Sequence, residues 1–164
     1  MMSQRTQTKI NWKELLIFLA IPLGVGILSA LISMEGMKNF DQVAQPALTP
    51  PSWLFPVAWT ILYLLMGYAS YLVWRSRAPK KQIEKALTWY GAQLAANFLW
   101  SPLFFQWKMY LAALILLIVL VVLVVITLLR FRQLNVTAGW LLVPYLCWLL
   151  FAGYLNAGVW LLQR

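Results

Sequence analysis

The stretch LAALILLIVLVVLVVITLL, residues 111–129, decides the fold of this chain. Every position but one is apolar, whereas a strand of a membrane barrel alternates between apolar and polar residues. A bilayer core about 30 Å thick is crossed by roughly 20 apolar residues in a helix, whereas a barrel strand needs only about 9 to 11. The stretch therefore predicts a transmembrane helix.

The rest of the sequence has the same character. Of its 164 residues, 63% are hydrophobic and only 10% are charged, a composition typical of integral membrane proteins. Five segments are long and apolar enough to cross a bilayer, at about residues 15–32, 53–74, 86–107, 109–129 and 138–162. We expect an all-α bundle in a single membrane domain, residues 15–162, between a basic tail at residues 1–14 and a C-terminal end at 163–164.

The first segment follows several basic residues and so resembles a secretion signal. It is longer than the usual apolar region of about 7 to 15 residues, and no small-residue cleavage site precedes Met34. We expect it to remain as a span of the mature protein.

The basic residues predict the orientation of the bundle. With five spans, ten Lys and Arg residues fall on the side of the N-terminus, and only Lys38, Lys108 and Arg164 fall on the other. Basic residues near span ends are retained in the cytoplasm. This predicts a cytoplasmic N-terminus and an external C-terminus, with the first loop outside. The bias also accounts for the net charge of +9 without a nucleic-acid partner.

The spans lack the groups on which most membrane chemistry depends. No Asp, Glu, Lys, Arg or His lies clearly inside a predicted span, and the sequence contains no His and one Cys. Proton-coupled transport relies on such buried ionisable groups, and clustered metal ligands or a haem-binding His are missing. We therefore expect no metal site and no required cofactor, and any chemistry has to use aromatic rings, amides and hydroxyls.

Three spans each present a face that combines rings with amides or small residues. On the third, Gln93, Asn97 and Trp100 recur at helical spacing. The second and fifth do the same around two further tryptophans, Trp59 and Trp148. These rings lie away from the span ends, where amphipathic rings normally sit. Such faces predict a pocket for a flat, largely apolar ligand; the alternative is that the amides only join helices.

The stretch QPALTPPSWLFPVAWTILYLLMGY, residues 45–68, feeds a proline-rich loop into the second of these faces. Its motif PxxxPPSWxFxxxW, with QLxxNxxWxxxFF at residues 93–105 and PYLxWLxFAxxLN at residues 144–156, resembles the tryptophan-rich sensory protein family, also called the translocator protein or peripheral-type benzodiazepine receptor family (TspO/MBR). The likeness extends over about residues 15–162.

The resemblance implies five tilted helices around a pocket covered by the first loop, often in a homodimer. It implies porphyrin as a ligand, notably protoporphyrin IX, and for some members sterols or isoquinoline and benzodiazepine drugs. Carried over by motif, the expected ligand-binding residues are Pro46, Pro50, Pro51, Trp53, Trp59, Tyr63, Asn97, Trp100, Ser101, Trp148, Ala152 and Leu155.

Two positions depart from the pattern of this family. Gln45 stands where a Lys is common, and Leu48 where a Trp is common, so the contacts of the loop with a ligand are expected to differ. On the third span, Ala92 with Ala96 and Gly91 with Ala95 form small-xxx-small pairs that favour a dimer through this helix, or close packing within the monomer.

Two functions remain open at this point. One is a binding protein that senses or transports a tetrapyrrole. The other is an enzyme-like protein that degrades bound porphyrin under light, with Trp59 and Trp148 as the reactive rings. The short basic tail favours a prokaryotic plasma membrane.

Overall fold

The computed structural model describes residues 9–164, and all regular elements in that range are helical. In chain order they are α1 (Trp12–Lys38), a 3-10 turn (Phe40–Gln42), α2 (Leu54–Trp74), α3 (Lys80–Ser101) with a π-helical turn (Pro102–Gln106), α4 (Tyr110–Leu134), α5 (Val136–Leu141) and α6 (Val143–Leu162). Because α5 and α6 follow one another almost directly, they form one span, and the predicted five-span helical bundle is confirmed.

Several helices are longer than their predicted spans. α1 begins three residues early, because the side chain of Asn11 accepts a hydrogen bond from the backbone N–H of Glu14 and caps the helix. α3 begins at Lys80, directly after Pro79, and α4 continues past the apolar run to Leu134. Composition marks where the bilayer ends, but a helix continues until its backbone is interrupted. Residues 1–8 of the predicted basic tail lie outside the described range.

The last predicted span, 138–162, is divided at Leu142. Pro144 occupies the first turn of α6 and has no N–H to donate to the carbonyl one turn earlier. The N–H of Leu142 bonds instead to the carbonyl of Gly139 at 3.2 Å, which closes the short helix α5. The proline thus starts a new helix where the sequence predicted a continuous one.

Contacts between helix ends show that α2 runs antiparallel to α1 and α3. At one end, Arg75 after α2 pairs with Glu14 of α1 at 3.4 Å. At the other end, the backbone N–H of Gly36 in α1 donates to Oε1 of Gln106, after α3. The end that holds the start of α1 also carries most of the basic residues, as predicted, and is called the basic end below.

The perimeter of the bundle is apolar, as expected for a helix surface in lipid. Four helical segments of the described chain are long and apolar enough to cross a membrane: α1, α2, α4 and α5 with α6. α3 is less apolar, because its exposed first turns carry four charged residues and its inner face carries Gln93 and Asn97. Cys147, the single cysteine of the sequence, is exposed on α6.

α1 and α2 approach each other closely at one glycine. A Cβ placed on Gly67 would lie 2.7 Å from the carbonyl oxygen of Phe18 and 2.8 Å from Cα of Leu19. Only a residue without a side chain fits between two backbones at this distance. This contact fixes α1 against α2 and so helps to set the width of the space that the next section describes.

Candidate functional site

A cavity of about 90 Å³ lies between α1, α2 and α3, towards the end opposite the basic end. Most of its wall is aromatic or aliphatic, and the polar groups come from hydroxyls and one amide. The lining residues are Gly26, Ser29, Ala30, Met37, Phe55, Pro56, Trp59, Tyr63, Asn97, Trp100, Ser101 and Phe105. Five predicted ligand-binding residues are among them: Trp59, Tyr63, Asn97, Trp100 and Ser101.

Trp59 is the central ring of the site. It stacks on Tyr63, with ring centroids 5.6 Å apart and planes 28° apart, one turn along α2. Its centroid lies 6.4 Å from that of Trp100 on α3. Aromatic pairs at such distances contribute about 0.5–1.5 kcal/mol beyond burial. The α2 and α3 faces predicted from the sequence are therefore brought together around this ring.

The amides of α3 belong to a hydrogen-bond network that holds the helices together. Tyr63 donates its hydroxyl proton to Oδ1 of Asn97 at 2.7 Å, and Nδ2 of Asn97 donates to the hydroxyl of Tyr145 at 2.8 Å. Tyr145 in turn donates to Oε1 of Gln93 at 2.9 Å. The network joins α2, α3 and α6, which agrees with the structural role considered for these amides. Asn97 nevertheless lines the cavity as well.

A second polar link lies beside the first. Nε1 of Trp100 donates to Oδ1 of Asn156 at 3.2 Å, and Nδ2 of Asn156 donates to the backbone carbonyl of Tyr110 at 2.8 Å. The link fixes the plane of the Trp100 indole, which stacks on Phe104 at 5.2 Å. The wall of the cavity on the α3 side is therefore held in place before any ligand binds.

The α6 face does not line the cavity, although the sequence predicted that it would. Trp148, Ala152 and Leu155 lie outside the lining set, and the Trp148 ring packs at 85° against Trp59 with centroids 6.4 Å apart. This packing closes the gap between α2 and α6. Within residues 9–164, the buried Nε1 of Trp148 has no hydrogen-bond partner.

The third wall of the cavity is formed by α1 and not by α6. The sequence did not predict that α1 lines the cavity. Gly26 lies against the ring of Tyr63, and Ala30 also lines the cavity. Ser29 donates its hydroxyl proton to the carbonyl of Phe98 at 2.7 Å, which ties α1 to α3. The sequence does contain an indication of this wall, because Gly26, Ser29 and Ala30 are small residues at helical spacing. Their small side chains leave the space that forms the cavity.

The first loop, which connects α1 to α2, closes the same end of the bundle without lining the cavity. Pro46 packs on α6, where a Cβ on Gly158 would meet its ring at 2.6 Å. The hydroxyl of Tyr154 donates to the carbonyl of Ala47 at 2.7 Å. Phe40, in the 3-10 turn, packs on Phe105 of the cavity wall with centroids 5.2 Å apart. The loop thus reaches the cavity through aromatic contacts.

The remaining loop predictions fall outside the cavity. Pro50, Pro51 and Trp53 are absent from the lining, and Trp53 is 65% exposed. Gln45 donates to the backbone carbonyl of Phe40 at 3.0 Å, so it stabilises the turn of the loop itself. Leu48 has a φ of 66° and is 82% exposed, which makes it the most exposed large apolar side chain of the described residues.

Comparison with known proteins agrees with this architecture. The model of the TspO/MBR family matches residues 18–161. The tryptophan-rich sensory protein of Cereibacter sphaeroides is 39% identical over 147 residues, covering 90% of this chain and 89% of the relative. The translocator protein of Bos taurus is 34% identical over 151 residues (91% and 89%), and the translocator protein homolog of Schizosaccharomyces pombe 42% over 138 residues (80% and 81%). The chain belongs to the TspO/MBR family.

Proposed function

We propose that this integral membrane protein binds a tetrapyrrole of the protoporphyrin IX type at the cavity and serves in its sensing or transport. The observation that carries the proposal is the placement of Trp59, Tyr63 and Trp100 around one space inside the bundle. A flat ring system binds to such a wall by stacking, while a few hydroxyl and amide groups orient it.

Ligand binding requires the cavity to widen. Its volume of about 90 Å³ is below the roughly 300–1,000 Å³ of common ligand sites, and a porphyrin macrocycle is larger. Phe105 and Met37 lie on the side of the loop. The loop is held there by the hydrogen bond from Tyr154 to Ala47 and by the packing of Pro46 on α6. We expect movement of this cover to control the rate of binding.

Two polar groups are suited to a porphyrin once the site opens. Lys38 is exposed at the end of α1, directly after Met37 of the cavity wall, and can meet a porphyrin carboxylate at the rim. The ring of Trp148 packs on Trp59, and within the described residues its buried Nε1 has no hydrogen-bond partner. A porphyrin acceptor that reaches this donor would remove the free-energy penalty of an unpaired buried group, about 1–3 kcal/mol.

The proposal is tested by titrating purified protein with protoporphyrin IX and following tryptophan fluorescence. We expect saturable quenching. Trp59→Leu should weaken binding about two- to tenfold, since one ring contact contributes about 0.5–1.5 kcal/mol. Trp140→Leu, which also removes one tryptophan but lies 59% exposed away from the cavity, should bind as the parent does. Unchanged emission of the folded parent would remove the porphyrin from consideration.

A second function, light-dependent degradation of bound porphyrin, is favoured by the contact between Trp59 and Trp148. Trp59 faces the cavity and Trp148 packs against it, so the two electron-rich rings can donate an electron to an illuminated porphyrin, while dioxygen serves as the oxidant that opens the porphyrin ring and is itself reduced. If Trp59→Phe and Trp148→Phe both bleach porphyrin as fast as the parent under light, the rings are not reactive centres.

We also propose that the protein forms a homodimer through α3. Gly91, Ala92 and Ala95 are exposed on this helix, and nothing lies within 4 Å of a Cβ built on Gly91. Ala96 is buried in the monomer, so of the two small-residue pairs only Gly91 with Ala95 is free for a partner. Gly91→Leu should shift the protein to monomer in light scattering, and an unchanged mass would contradict this interface.

For the orientation, we propose that the basic end faces the cytoplasm of a prokaryotic cell, as the distribution of basic residues favours. Single cysteines introduced into a Cys147→Ser variant test this. Gln82→Cys at the basic end should resist an impermeant thiol reagent in intact cells, and Gln42→Cys in the first loop should react. The reverse pattern would overturn the orientation.

A further inference from the structure

A cleft at the basic end, distinct from the aromatic cavity, lies between the start of α3 and the end of α4. Its volume is about 320 Å³, and three basic side chains enter it from the two helices: Lys81 and Lys85 of α3 and Arg130 of α4. The other lining residues are Gln82, Ala86, Gln133 and Leu134. The cleft thus combines three cations with two amides and a small apolar wall.

No carboxylate balances these cations. The nearest acidic side chain in the sequence, Glu84, is paired with Lys80 at 3.6 Å, and Glu14 is paired with Arg75 across the bundle. Within residues 9–164, neither lysine of the cleft nor Arg130 forms an ion pair. Three like charges around one concave space repel one another unless an anion lies among them.

The position of the cleft indicates which anion fits. Arg130 follows the apolar run of α4 directly, and its neighbour Leu129 is 51% exposed on the lipid-facing perimeter. The cleft is therefore at the depth where hydrocarbon meets the polar headgroups. Basic pockets between transmembrane helices at this depth bind the headgroups of anionic lipids.

We propose that this cleft, named here the α3–α4 basic cleft, binds the headgroup phosphate of an anionic phospholipid. Arg130 presents a planar guanidinium, which can donate two parallel hydrogen bonds to a phosphate. Lys81 and Lys85, one helical turn apart, act as point charges, and the amides of Gln82 and Gln133 can donate to the glycerol or remaining phosphate oxygens. The acyl chains would follow the exposed apolar surface of α4 below Arg130.

Native mass spectrometry of the full chain in detergent tests the proposal by titration with phosphatidylglycerol or phosphatidylcholine. We expect one phosphatidylglycerol to bind more tightly than the rest and no equivalent phosphatidylcholine. Each basic residue near anionic lipid changes affinity roughly fivefold. Because three such factors multiply, the triple variant Lys81→Gln, Lys85→Gln, Arg130→Gln should lose roughly a hundredfold in affinity for this lipid.

A matched control separates a built site from general attraction. The triple variant Lys9→Gln, Lys13→Gln, Arg77→Gln removes the same charge from the same end, at exposed positions outside the cleft. It should keep the tight phosphatidylglycerol. Equal loss in both triples would overturn the proposal, because charge alone would then explain binding.

Two further measurements complete the test. Inorganic phosphate at millimolar concentration should not displace the lipid, and full displacement would assign the cleft to a soluble anion and contradict a lipid site. Arg130→Lys keeps the charge but loses the bidentate geometry, so it should weaken phosphatidylglycerol several-fold while the helical content by circular dichroism stays that of the parent. Parent-like affinity in Arg130→Lys would overturn the role given to the guanidinium.

Discussion

Gly26→Ala is expected to damage both the stability of the bundle and its ligand site. A Cβ built on Gly26 would lie 2.7 Å from two ring atoms of Tyr63 and closer still to a third, so the ring has to move. Tyr63 is held by its hydrogen bond to Asn97 at 2.7 Å, and by its stacking on Trp59. A single methyl group thus forces a ring out of a position that two other side chains share.

The magnitude follows from these contacts. Overpacking of a core costs about 1–3 kcal/mol, and an interhelical hydrogen bond in a membrane contributes about 0.6 kcal/mol on average. Because alanine also gains about 1 kcal/mol in helix propensity over glycine, we expect Gly26→Ala to lower the free energy of unfolding by about 1–2 kcal/mol. The methyl group also occupies part of the cavity of about 90 Å³. Protoporphyrin IX should therefore bind about tenfold more weakly, which corresponds to about 1.4 kcal/mol.

Gly24→Ala is the matched control. It lies on the same helix, and nothing is found within 4 Å of its Cβ. Since alanine has the higher helix propensity by about 1 kcal/mol, this variant should be as stable as the parent or more so and bind porphyrin equally. Thermal unfolding in detergent and the fluorescence titration measure both effects. If the two alanine variants behave alike, the cavity is not where the ligand binds, and Tyr63 does not limit its width.

Two other variants address the supports of the site. Tyr145→Phe removes the hydroxyl that accepts from Asn97 and donates to Gln93, and it should lower the free energy of unfolding by about 1–2 kcal/mol, measured by thermal unfolding; a parent-like melting temperature would show that the network contributes nothing. Gly158→Val places side-chain atoms where Pro46 packs, so the first loop should be cleaved faster in limited proteolysis and porphyrin should associate faster. Unchanged cleavage would mean that Pro46 does not hold the loop.

The sequence predicted the side chains of the site better than its shape. Apolar length predicted the spans, and helical spacing placed Asn97 and Trp100 on one face, because both depend on local periodicity. The part of the cavity wall that α1 forms was not predicted. Gly26 contributes to it by lacking a side chain, and a pattern of side chains in the sequence does not reveal an empty space. The position of Trp148 depends on how α2 packs on α6, a long-range contact that no local pattern contains.

The hydrogen-bond network shows the same limit. Tyr145 of α6 forms hydrogen bonds with Asn97 and Gln93 of α3, which lie 48 and 52 positions earlier in the chain. From the sequence it was one aromatic residue of a motif. Its full burial, with both functions of its hydroxyl satisfied, becomes evident only when the helices are assembled.

The π-helical turn after α3 gives the chain a place where its length can change. The N–H of Trp107 bonds to the carbonyl of Pro102, five residues earlier, so this turn holds one residue more than an α-helical turn would. A deletion of one residue between Pro102 and Gln106 can therefore be absorbed by conversion to a regular turn. The same deletion inside α2 or α4 would rotate all following side chains by about 100°. This turn is therefore the place in the bundle where a change of chain length disturbs the fewest side chains.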